Sequence, residues 1–132
     1  MGLQQIIDEM GELPDDGHDI GSMSPVTHKA RDWSVWRKNL TWPSVTHGGT
    51  EGLSQAIEQL GLPFARRAAR LTTLECTTRL SIVQELTGDP ETTGMIFTTQ
   101  AIAVLSAAKA EIDLDQYVYT DGSSVEIIHG PE

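Results

Sequence analysis

Everything from Thr50 to Leu71 turns on one short break, Gly61-Leu62-Pro63, with an apolar stripe running into it from either side. Before the break, Leu53, Ala56, Ile57 and Leu60 recur at the spacing of one helix face, and Gly61 followed by Pro63 supplies the stop. After it, at about 100° per residue, Phe64, Ala65, Ala68, Ala69 and Leu71 fall on one side of a helix and Arg66, Arg67 and Arg70 on the other. Two successive helices with one apolar face each must be buried against further elements. The second helix then presents a guanidinium face outward.

A helix, a glycine turn and a basic helix are also the outline of a helix-turn-helix, whose second helix enters the major groove of DNA. Arg67 stands near the point where an aliphatic anchor is expected, and Asn and Gln, which read adenine edges, are missing from the second helix. Binding of that kind would lean on phosphates, with Arg79 a further contributor. The competing expectation is a helical hairpin whose arginines meet the acidic flanks or another subunit.

Those flanks are strongly acidic. Residues 28 to 79 contain eight of the nine basic side chains and four of the nineteen acidic ones, so the middle carries +4 and the two ends together −14. Such sorting points to a basic surface directed at something anionic: nucleic acid, a partner, or the chain's own ends. Length suits a single domain, 1–132, that buries about two thirds of its unfolded surface, with 12–49 a loop-rich arm or linker and 50–132 a helical core ending in a hairpin. The single cysteine, Cys76, excludes an internal disulfide and a Cys-rich zinc site, and its place on an apolar row predicts an inert thiol. No basic leader precedes an apolar run and no stretch reaches membrane-spanning length, so a cytoplasmic chain, or one incorporated in a larger assembly, is expected.

Elsewhere, Leu3, Ile6, Ile7 and Met10 make one stripe closed by Gly11, predicting an amphipathic helix at the N-terminus. Residues 12–25 read as an acidic linker by composition. Asp32 is placed to cap a brief helix with Trp33, Trp36 and Leu40 on one side and Arg37 and Lys38 at its end, before Pro43. A capping box at Thr72-Thr73-Leu74-Glu75 predicts a further helix carrying Cys76, Leu80, Ile82, Val83 and Leu86. Thr98 or Thr99 caps a helix from Gln100 to about Ile112, apolar on nearly every side and therefore central. Asp121-Gly122 between Tyr117–Thr120 and Val125–Ile128 signals a β-hairpin, acidic where the wing of a DNA-binding domain would be basic. The expected fold is mainly α, with a minor β part: a compact bundle of about five helices, an irregular tryptophan-containing segment and a C-terminal hairpin.

Chemistry-bearing clusters are sparse. Asp15, Asp16, His18 and Asp19 gather oxygen and nitrogen ligands but lack the order of a calcium loop, and an acidic linker explains them. His28, His47 and His129 have no paired spacing. Gly48-Gly49-Thr50 before a helix lacks the lysine and preceding strand of a phosphate loop. Neither a cofactor nor a metal site is expected, nor catalysis. Arg37 and Lys38 interleaved with Trp33, Trp36 and Trp42 suit either stacking on single-stranded nucleic acid or an anchor for a protein. The sequence therefore favours a non-catalytic assembly subunit, docking on identical subunits or another protein through Arg66, Arg67, Arg70, Arg79, Arg37 and Lys38 with the three tryptophans as anchors. A small structural or host-directed protein of a virus or mobile element fits that description. A helix-turn-helix-like DNA-binding regulator is the alternative, and a small enzyme without a recognisable motif the second.

Overall fold

The computed structural model describes residues 1–41, 50–87, 95–120 and 124–129. Along them run α1 (Leu3–Met10), β1 (Asp16–His18), β2 (Val35–Arg37), α2 (Thr50–Thr72), β3 (Arg79–Thr87), α3 (Thr99–Ala107), β4 (Glu111–Thr120) and β5 (Ser124–His129). A mainly helical bundle of about five helices is therefore overturned: the chain is mixed α and β, with three helices and two small sheets among the described residues. The larger sheet has the order β3-β4-β5, with β3 parallel to β4 and β5 antiparallel to it. Since parallel neighbours need a crossover, α3 serves as the connection, and β3-α3-β4 is a βαβ unit extended by a hairpin.

The largest difference lies at residues 72–87, where a helix is expected and a strand stands. Leu80, Ile82 and Leu86 alternate at period two; the same apolar set also approximates a helical row, but only the alternation puts Ile82 inside. Leu80 and Ile82, with Leu114 of β4, pack toward the helices, while Arg79, Ser81, Val83, Glu111 and Asp113 face outward. The expected central helix is shorter than its apolar run and lies over one face. Ala101 and Val104 are buried, but Ile102 is 53% exposed, because a crossover helix of nine residues turns only one side to the core.

α2 is broken at Gly61, whose φ of 78° and ψ of 167° lie outside the helical region and suit glycine alone. The two halves bury Leu53 and Ile57, then Ala65, Ala68 and Leu71, and α1 adds Ile6 and Met10 to the same cluster. Ser54, wholly buried, fastens the approach to α3: its hydroxyl donates to the Ile96 carbonyl at 2.9 Å and accepts from the Thr98 N–H at 3.2 Å. Thr98 caps α3 by accepting from Ala101 N–H at 3.1 Å and donates its hydroxyl proton to Glu58.

The stretch expected as a linker, and the brief helix expected at Trp33–Leu40, form one hairpin arm. β1 and β2 pair antiparallel with Asp16 opposite Arg37, and beyond a turn closed by the Ser22 N–H on the Asp19 carbonyl at 3.2 Å an isolated bridge sets Met23 opposite Ala30. Gly17 is required here, since a Cβ would stand 2.2 Å from the Val35 carbonyl oxygen. Turn formers at Ser24-Pro25 close the tip, where the Ser24 N–H donates to the Lys29 carbonyl at 2.9 Å.

Candidate interaction surface

The side chains of the arm fall into two groups, those used inside the molecule and those left exposed. On the inner face lie Trp36 and the pair Asp19/Ser34, and all three are used inside the molecule. The Trp36 indole N–H donates to the Glu12 carbonyl at 3.1 Å, and its ring meets Phe64 of α2 at 6.1 Å between centroids, tilted 46°. Asp19 accepts from the Leu3 N–H at 3.0 Å and from the Ser34 hydroxyl at 2.9 Å, so it fixes both the start of α1 and the arm. Those two hydrogen bonds, the Leu3 amide first, hold the Asp19 carboxyl below its ordinary range.

The outer face is different. Asp16 pairs with Arg37 at 2.6 Å, Arg31 donates to the Ser22 hydroxyl at 3.0 Å, and Ile20 and Trp33 lie in the stretches between these pairs. Trp33 is 66% exposed, and Ile20, Met23 and Val26 are exposed with it. From Ile20 to Arg31 the arm carries Lys29 and Arg31 and no acidic residue. Large apolar groups beside unopposed cations, held out on a paired backbone, form a surface whose inner side is already spent.

The guanidinium face of α2 is partly occupied by the acidic N-terminal flank. Arg67 stands 3.8 Å from Glu12 and 5.9 Å above the Phe64 ring, and Arg70 stands 3.5 Å from Glu9. Lys38 meets the same Glu12 at 3.0 Å, so one carboxylate ties the arm's return to α2. Arg66 points to solvent and, among the described residues, has no ion pair. Arg79 lies apart on the sheet, 3.5 Å from Glu111. The structure therefore divides the expected site. Arg67, Lys38 and Trp36 are internal fasteners, Arg37 is paired at the arm's base, Trp33, Arg66 and Arg70 face outward, and Trp42 lies outside the described residues, as do His47, Gly48-Gly49 and Asp121-Gly122. Ile20, Met23 and Val26 were not legible as site residues, because only the folding of the arm leaves them exposed.

The acidic cluster of the arm has no common centre. Asp15 accepts from the Asn39 N–H at 2.8 Å, while Asp16 and Asp19 have the separate partners given above. Among the described residues, no group of three or more His, Cys, Asp or Glu is placed to hold a metal ion, and no helix is long and apolar enough to cross a membrane. Cys76 sits half-buried in the turn after α2 at 3.8 Å from the Met1 sulfur, and β5 places His129 opposite Asp115. Compared with family models, curated proteins and solved structures, the chain matches none of them.

Proposed function

We propose that this protein is a non-catalytic assembly subunit that docks on a second copy of itself through the outward face of the hairpin arm. The carrying observation is Trp33, two thirds exposed on an arm whose Trp36 and Asp19 are consumed inside the molecule. A tryptophan held rigid on a hairpin loses little conformational freedom on binding and covers a large apolar area, which is why such residues anchor interfaces. The cations Lys29 and Arg31 beside it ask for an acidic rim. The chain offers such a counter-surface in the open face of β3 and β4, where Val83 is 65% exposed and the exposed Asp113 lies opposite Ser81, two residues away.

Light scattering across a dilution and salt series tests this reading. The wild-type protein should associate, more weakly as salt rises, and Trp33→Ala should weaken that association with an unchanged circular dichroism spectrum. Arg31→Glu should weaken association and Asp113→Lys in the same chain should restore it. A strictly monomeric wild type contradicts the proposal. In that event duplex DNA takes precedence, with Arg66 and Arg70 as phosphate contacts and a salt-dependent duplex titration as its measure.

A further inference from the structure

The outer edge of β3 is the longest stretch of unpaired strand backbone in the described structure, and its geometry is fixed by one hydrogen bond. The Glu111 N–H donates to the Thr78 carbonyl at 2.9 Å, so residue 78 turns its backbone groups toward β4. Backbone direction alternates along a strand, hence Leu80, Ile82, Gln84 and Leu86 also face β4, while Arg79, Ser81, Val83, Glu85 and Thr87 direct N–H and C=O away from it. Among the described residues nothing pairs with that edge. No proline or lysine interrupts Arg79–Thr87, and these are the usual guards of a strand edge.

The geometry points to β3 as a pairing edge whose occupant is β3 of a second copy, antiparallel, about a two-fold axis at Ile82. Only outward-directed residues can exchange hydrogen bonds across such an edge. A two-fold at Ile82 sets Ser81 opposite Val83, both outward, and gives Arg79 and Glu85 paired register positions at both ends, so the sequence places residues of opposite charge across the edge twice. Displacing the axis by one residue, to Val83, opposes Ser81 to Glu85 and Arg79 to Thr87 and loses both charge matches. β5, the other edge, has by the same alternation only Val125, Ile127 and His129 directed outward and offers no comparable charge register. The product is a continuous six-stranded sheet, β5-β4-β3-β3-β4-β5, with the helices of both copies on one face. This extends the self-association reading with a second contact that the arm does not form.

Amide exchange and sedimentation velocity separate the two. In a concentrated sample the Ser81 and Val83 amides should exchange slowly and should lose at least about tenfold of that protection on dilution, whereas Leu80 and Ile82, bonded to β4, keep theirs. Val83→Pro removes an outward N–H without touching the β4 ladder and should abolish β3 pairing. Should that variant misfold, Ser81→Lys, which keeps the backbone intact, should have the same effect. Arg79→Glu should weaken pairing, and Arg79→Glu combined with Glu85→Arg should restore it. Fast exchange at Ser81 and Val83 at every concentration overturns the pairing, as does protection that appears at Val125 and Ile127 instead. Protection at Ser81 and Val83 that survives in Trp33→Ala upholds β3 pairing apart from the arm, and protection that Trp33→Ala removes together with association refutes it.

Discussion

Replacing Trp36 with alanine should release the arm from the helices without unfolding the core. Three contributions are lost together. The indole N–H bond to the Glu12 carbonyl, 3.1 Å and partly buried, contributes about 1 kcal/mol. The tilted ring pair with Phe64 contributes about 1 kcal/mol beyond simple burial. Half-burial of the indole removes on the order of 100 Å² of apolar surface from water, which at about 25 cal/mol per Å² is about 2.5 kcal/mol. The freed side-chain and arm entropy offsets part of this, leaving about 3 kcal/mol, or roughly a hundredfold in the docking equilibrium. A two-stranded hairpin is marginal on its own, so undocking should also open its cross-strand bonds. Hydrogen exchange reads this directly. The amides of Gly21, Ser24 and Arg31, bonded across the arm, should lose about two decades of protection, while Ile57 and Ala65 in the core keep theirs. Trp36→Phe, which keeps a ring against Phe64, should lose about one decade. Arm amides that retain protection in Trp36→Ala refute the latch, and so does an equal loss at Ile57.

Two further perturbations test the frame around the arm. Asp19 has its folded carboxyl lowered by Leu3 and Ser34, so the stability it adds is complete above its unfolded pKa and is lost as pH falls through the lower folded value. Acid titration of α1 and the arm by circular dichroism should therefore show a transition below the ordinary carboxylate range, and Asp19→Asn should flatten that limb. Ile57, fully buried between the halves of α2 and α3, should cost about 2–5 kcal/mol as Ile57→Ala, measured by denaturant unfolding, and a cost below about 1 kcal/mol contradicts its central position.

The sequence makes the elements with one strong signal legible. α1 with its Gly11 stop, the start of α2 at Thr50, its break at Gly61 and the outward turn of Arg66 and Arg70 all follow from stripes and stops that no tertiary contact overrides. β3 is misread because Leu80, Ile82 and Leu86 satisfy two periods, and its pairing partner lies some thirty residues away on β4, a contact invisible to local pattern. α3 is misplaced at the centre because a run such as Ala101-Ile102-Ala103-Val104-Leu105 does not reveal that a short crossover helix leaves Ile102 outside. The arm is misread for a third reason. Its strands are three residues each, and its register depends on Gly17, on the Asp16 to Arg37 ion pair and on the Asp19 to Ser34 bond rather than on apolar alternation. The charge sorting has a partly internal explanation, since Glu9 and Glu12 of the acidic flank meet Arg70, Arg67 and Lys38.

The outward face of the arm is the central claim, and Trp33 reports on it by its own fluorescence. In a chain carrying Trp42→Phe, which keeps the Trp36 latch, Trp33 is the exposed tryptophan and dominates acrylamide quenching, which can be followed across a dilution series. Docking of the arm on a second copy predicts shielded, blue-shifted emission at high concentration that becomes freely quenched on dilution or added salt. Quenching that is equally efficient at every concentration would contradict the account.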